Sequence, residues 1–100
     1  MIMSHSFVKQ PSEIFPISID FSRRLASGET ISSVTVGAII VSTSADATAT
    51  VISSSAINDT AIDITVKSGT DGAVYTITIK ITSSSANVFE DEITMTVIES

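Results

Sequence analysis

The sequence predicts an all-β sandwich of six or seven antiparallel strands, and three observations carry the prediction. The first is composition: 16 Ile, 9 Val and 13 Thr stand against a single Leu, Leu25. β-Branched side chains are stiff at χ1 and fit a pleated surface better than a helix. The second is periodicity. Apolar and polar residues alternate along most of the chain from Phe15, and no capped stretch repeats apolar residues at i, i+3, i+4 and i+7, so little or no α-helix is expected. The third is spacing, with turn signals every eight to twelve residues or so, the interval of sandwiches and barrels.

A chain of 100 residues is long enough for one domain with its own core. We expect residues 1–10 to form an N-terminal arm and residues 11–100 the sandwich. Pro11 and Pro16 exclude helix around the junction. Phe15, Ile17, Ile19 and Phe21 then share one face of a strand, and Pro16, lacking a backbone donor, places that strand at a sheet edge. Ser22 to Glu29 reads as a loop with a Ser27-Gly28 turn. Val34, Val36, Ala38 and Ile40 share a parity that Ile31 does not, so a β-bulge is expected at Ser32-Ser33. Ala47, Ala49 and Val51 suggest a short strand ending before Ser53-Ser54-Ser55.

Ile62, Ile64 and Val66 alternate with Asp63, Thr65 and Lys67 in a clean amphipathic strand. Ser68 to Gly72 is the strongest turn, with two glycines able to adopt positive φ. The longest strand follows, with Tyr75, Ile77, Ile79 and Ile81 on one face. Ser83 to Asn87 closes a hairpin, with Asn87 as the candidate left-handed residue. The last strand sets Phe89, Ile93, Met95 and Val97 on one face. Asp91 shares that apolar parity, and in an edge strand an inward charge of this kind blocks pairing with other chains.

Tyr75 sharpens the fold prediction. In immunoglobulin-like sandwiches a Tyr near the start of the sixth strand stands two residues before a cysteine and bonds back to upstream backbone. Here Tyr75 is the only Tyr, it opens the longest strand, and Ile77 stands where that Cys would be. An immunoglobulin-like sandwich without its disulfide suits folding in a reducing compartment.

Composition also excludes chemistry. Without Cys there is no thiol catalysis, thiolate zinc site or disulfide framework. The net charge of −6, with Arg23-Arg24 the only adjacent basic pair, argues against nucleic acid as a partner. The longest uncharged run, Thr30 to Ala45, spans 16 residues rich in Ser and Thr. A membrane span needs about 20 mostly apolar ones, so no membrane partner is expected. The first ten residues do not read as a signal peptide. The only His, His5, falls in the arm, which disfavours a Ser-His-Asp site. Asp59, Asp63 and Asp71 have no calcium-loop spacing, and Glu90-Asp91-Glu92 reads as a solvated, edge-protecting stretch. No catalytic residue, cofactor site or metal site is assigned, and an enzyme is not expected. On these residues alone, a bacterial immunoglobulin-like adhesion or glycan-binding module is the rival reading, although one Tyr, four Phe and no Trp offer little for stacking on sugars.

Two blocks carry a family resemblance. Lys9-x-Pro11-x-Glu13, Ile19-Asp20-Phe21-Ser22, Leu25 and Gly28-Glu29-Thr30-Ile31-x-Ser33 form the first. Ile62-x-Ile64-x-Val66-x-Ser68-Gly69-Thr70-Asp71-Gly72-x-x-Tyr75-x-Ile77-x-Ile79, closed by Ile93-x-Met95-x-Val97, forms the second. Together they resemble the small fibre–tail adaptor proteins of tailed phages and prophages, from about Lys9 to Val97. The resemblance implies a non-enzymatic virion component that joins or decorates tail or fibre parts, and with no signal peptide read, synthesis in the host cytoplasm is expected. The partners it implies are other tail or fibre proteins, and self-association into a homo-oligomer is also expected. It transfers no binding residue. The apolar Met1-Ile2-Met3 and Phe7-Val8 of the arm are expected to pack on a neighbour or to add a strand to a partner sheet.

Overall fold

The computed structural model describes residues 4–99, with side chains from Ser6 onward. Eight strands and one helical turn follow one another: β1 Ser4–Lys9, β2 Phe15–Asp20, β3 Ile31–Ile40, β4 Ala45–Asp46, α1 Thr48–Val51, β5 Ile52–Asn58, β6 Ala61–Val66, β7 Val74–Ser83 and β8 Val88–Val97. They form two sheets, one ordered β1-β8-β7-β3-β4 and the other β2-β6-β5. The inward side chains of both sheets meet in one core of Ile, Val, Phe21, Tyr75 and Met95. The protein is an all-β sandwich.

The strand periodicities hold where a strand has neighbours on both sides. In β7, Tyr75, Ile77, Ile79 and Ile81 are buried, and the Thr residues between them are partly exposed. In β6, Ile62, Ile64 and Val66 are fully buried. β2 is an edge strand, as Pro16 requires. The ladder of β3 with β7 slips between Ile31 and Ser33, at the bulge that the parity change demanded. Gly69 has φ +100°, and a Cβ built there would lie 2.7 Å from Val97 Cγ2, so this turn needs glycine on two counts.

Several expectations need correction. There are eight described strands rather than six or seven, and not all pairs are antiparallel: β1 runs parallel to β8, with Ser4 opposite Glu92 and Lys9 opposite Val97. Residues 4–9 therefore add a strand to the chain's own sheet, whereas Met1-Ile2-Met3 lie outside the described residues. Covered by β1 on one side and β7 on the other, β8 is not an edge, so Asp91 does not guard one.

The segment Ala47 to Val51 is not a strand. Ala47 and Val51, four residues apart, are both buried, and Thr48–Val51 forms a single helical turn. Asp46 accepts from the Thr48 backbone N–H (3.1 Å) and hydroxyl (2.7 Å), and Thr48 Oγ1 accepts from the Ala38 N–H (2.9 Å), pinning the turn to β3. The triple serine that reads as a loop is strand β5. At a sheet edge both faces of β5 are open, so it needs no apolar alternation. In the β7–β8 hairpin the positive φ falls on Ala86 (65°), not Asn87. Asn87 instead spends its amide on Glu29, at 3.0 Å.

Candidate functional site: a groove between the β1 and β2 edges

β1 and β2 lie at the same side of the sandwich, one in each sheet, and are not paired with each other. Between them runs a groove of about 320 Å³. Its apolar wall is Phe7 of β1, Ile17 and Ile19 of β2, and Ile93 of β8; its polar groups are Ser18, Asp20, Arg23, Arg24 and Asp91. Phe7 packs edge-on against Phe15, with ring centroids 5.9 Å apart. The alternation of β2 turns Ile17 and Ile19 inward, and the loop that follows supplies both arginines to the lining.

Asp20, Arg24 and Asp91 of the groove are already engaged. Asp20 accepts from the Ser22 N–H (2.8 Å), the Ser22 hydroxyl (3.0 Å) and the Thr60 hydroxyl (3.2 Å). The Ser22 N–H contributes most to holding the Asp20 carboxyl below the usual carboxylate range. An acid held ionised in this way is a poor proton donor near neutral pH. The Arg24 guanidinium donates to the Glu90 carbonyl (2.8 Å) and lies 5.9 Å from the centre of the Phe21 ring. Asp91, only 5% exposed, accepts from the Glu92 N–H at 2.9 Å. These contacts bind the β2–β3 loop to β8 and shape the groove.

The other candidate residues do not gather into a site. Asp59 sits in the β5–β6 turn with φ 57°, Asp63 accepts from Asn58 Nδ2 at 3.1 Å, and Asp71 accepts from the Glu99 N–H at 2.9 Å. Asp59 precedes β6 and Asp71 follows it, so the two lie at opposite ends of the sandwich. Among the described residues, no group of three or more His, Asp or Glu side chains is placed to hold a metal ion. The backbone of His5 pairs with that of Ile93; its side chain is outside the described set.

Sequence reasoning overlooked two buried ions, Lys9 (1% exposed) and Glu29 (8%). The Lys9 ammonium donates to the carbonyls of Gln10 (2.7 Å), Pro11 (3.3 Å) and Ser68 (2.5 Å), clamping the end of β1 to the β6–β7 turn. Glu29 accepts from the Ala26 N–H (2.8 Å), the Ser83 hydroxyl and the Asn87 amide, fastening the β2–β3 loop to the β7–β8 hairpin. Parity in β1, which sets Lys9 on the face of Phe7, was the signal for the first. Nothing in the local sequence marked the second.

The Glu29 staple predicts an acid response. Hydrogen bonds, that of the Ser83 hydroxyl first and of the Ala26 N–H next, hold the Glu29 carboxyl below its ordinary value against the opposing effect of burial. Between that lowered value and about 4.3, the unfolded chain binds more protons than the folded one. The contribution of Glu29 is thus complete above this window and is lost as the pH falls through it. Urea midpoints measured from about pH 6 to pH 3 should drop on acidification. Glu29→Gln should start lower and show a shallower drop; an unchanged slope would remove Glu29 from the explanation.

A family model described as Podophage GP4 fiber-tail adaptor protein gp77 matches residues 9–96. The chain belongs to this family. No curated protein matches the chain. Within the fibre–tail adaptor family match lie every strand from β2 to β7 and nearly all of β8. The resemblance read from the two sequence blocks is thereby confirmed at the level of the family. The residues that carried it are framework: Lys9 clamps β1, Asp20 and Ser22 form the turn out of β2, and Glu29 staples the hairpin. Tyr75, 2% exposed, accepts from the Thr70 N–H at 3.0 Å and closes the β6–β7 turn. Tyr75→Phe should cost about 1 kcal/mol in urea unfolding with the fold intact, the net worth of one neutral hydrogen bond; a loss near zero would mean that water replaces the hydroxyl.

Proposed function

We propose that this protein is a non-enzymatic structural component of a phage or prophage virion, joining tail or fibre parts through protein–protein contacts spread over edge strands and loops. The observation that carries the proposal is the adaptor-family match over residues 9–96 on an all-β two-sheet framework. The chemistry of the groove supports it. Its carboxylates and one of its arginines are used in local hydrogen bonds, and among the described residues its lining pairs no nucleophile with a base. Sandwiches of this kind present free sheet edges and loop clusters, the surfaces on which β-rich assemblies are built.

An immunoglobulin-like reading of the fold belongs to the same proposal. It is supported by the order β2-β6-β5 facing β3-β7-β8, which follows the B-E-D and C-F-G sheets, and by the Tyr75 hydroxyl bonded back to Thr70. The test is mass spectrometry of purified virions. The protein should be a stoichiometric component that co-purifies with tail or fibre proteins after particle disruption. Its absence from virions, or saturable binding on a glycan array, would overturn the reading.

A further inference from the structure

Among the described residues the sandwich has four sheet edges, β1, β4, β2 and β5, and they differ in what they offer a neighbouring strand. β4 is two residues long. β1 opens on the groove that holds Asp20, Arg23, Arg24 and Asp91. β2 contains Pro16 and ends on Asp20. Short length, charge and proline are the usual guards of an edge. β5, Ile-Ser-Ser-Ser-Ala-Ile-Asn, is seven residues long and has none of them.

We propose that β5 is the edge through which two copies of this chain pair, antiparallel about a two-fold axis at Ala56. The direction of the free backbone groups follows from two hydrogen bonds. The Phe21 N–H donates to the Thr60 carbonyl on the β2 side of β6, and the Lys67 N–H donates to the Val51 carbonyl on the β5 side. In an antiparallel ladder these directions alternate. Ala61, Asp63 and Thr65 therefore bond to Asn58, Ala56 and Ser54, and the N–H and C=O groups of Ser55 and Ile57 point away from the sheet. A two-fold axis at Ala56 sets Ser55 of one copy opposite Ile57 of the other, twice, so all these outward groups find partners. It also avoids the irregularity between Ile52 and Ser54.

The side chains of β5 favour a second copy as the occupant. Ile57 stands opposite Ile62, on the inner face, yet it is 42% exposed while Ile62 is fully buried. In the paired arrangement the Ile57 residues of the two copies become diagonal neighbours on one face, within reach of each other. Small Ala56 meets Ala56 at the axis. The net charge of −6 opposes association of two copies, and β5, which brings no charged residue into the ladder, adds nothing to that repulsion. The pairing is isologous, so it closes as a dimer.

The experiment is sedimentation equilibrium of the full chain up to about 1 mM, since one strand edge makes a small interface. The mass should rise from 10.4 kDa toward twice that value. Ser55→Pro removes an outward donor that the β5–β6 ladder does not use, and Ile57→Lys charges the edge; each should hold the mass at the monomer value. Thr35→Lys, at an exposed position of β3 in the other sheet, should leave the dimer unchanged. Circular dichroism checks that each variant is folded, and if Ser55→Pro unfolds, Ile57→Lys decides. A wild-type monomer throughout, or a dimer that survives these β5 changes, overturns the proposal. The inference stands on β5 alone, so either failure leaves the virion assignment to its own test.

Discussion

Replacing Ile77 by Ala should lower the unfolding free energy by about 4 kcal/mol, near the top of the range for a fully buried aliphatic side chain. Ile77 has no exposed surface and occupies the middle of β7, the central strand of the larger sheet. Its ladder neighbours are Ala38 on β3 and Ile93 on β8, both buried, and Ile62 and Ile64 of the other sheet belong to the same core. With small Ala38 already beside it, little is available to collapse into the space left behind, so the cavity penalty adds to the lost transfer energy. Domains of this size are stable by roughly 5–15 kcal/mol, so the variant loses a large fraction of the total. Urea unfolding should show the midpoint falling at constant slope. Ile57→Ala, at an exposed edge position, is the contrast and should change stability by less than about 0.5 kcal/mol in the monomer. Equal losses at the two positions would contradict the burial pattern on which the sandwich rests.

Lys9→Met should cost about 3 kcal/mol, although it keeps the volume and flexibility of the side chain. An amine, charged or neutral, donates hydrogen bonds and a thioether does not. The substitution therefore leaves the carbonyls of Gln10, Pro11 and Ser68 without the donor that now serves all three. The effect should be largest on β1, whose last residue is Lys9. Hydrogen exchange of the β1 amides should quicken more than that of the β7 amides. The pH dependence has a definite sign. Burial pushes the Lys9 ammonium below its ordinary value, against the opposing charges of Glu13 and Tyr75. Between that lowered value and about 10.4, the unfolded chain binds the extra proton, so this group makes stability rise with pH there. Lys9→Met should abolish that rise in alkaline urea titrations. A loss under about 1 kcal/mol would mean that water satisfies the three carbonyls equally well.

Much of the sandwich could be read from one strand at a time. A two-residue period shows which face of β2, β3, β6, β7 and β8 is buried, and a parity slip at Ser32-Ser33 marks a bulge, because both are properties of consecutive residues. Pro16 announced an edge since a missing donor has only one tolerable direction. The candidate site was less legible. Its groove joins residues from β1, β2 and β8 that are up to 86 positions apart, Phe7 to Ile93. No local pattern records which two edges will face each other across the core.

The errors share a physical cause. Ala47 to Val51 fits a strand or one helical turn equally well over so short a span, and the docking of Thr48 on Ala38 decided for the turn. Ser53-Ser54-Ser55 looks like a loop by composition but becomes β5, because an edge strand needs only a partner ladder and no buried face. Asp91 has the parity of an edge guard, but the parallel β1 covers β8 and leaves no edge there. Strand formation and inward parity follow from the order of side chains along the chain, a matter of local sterics and alternation. Strand neighbours, the β1–β8 pairing, the Lys9 clamp and the Glu29 staple depend on which distant segments meet, and the packing of two twisted sheets around a common core settles that.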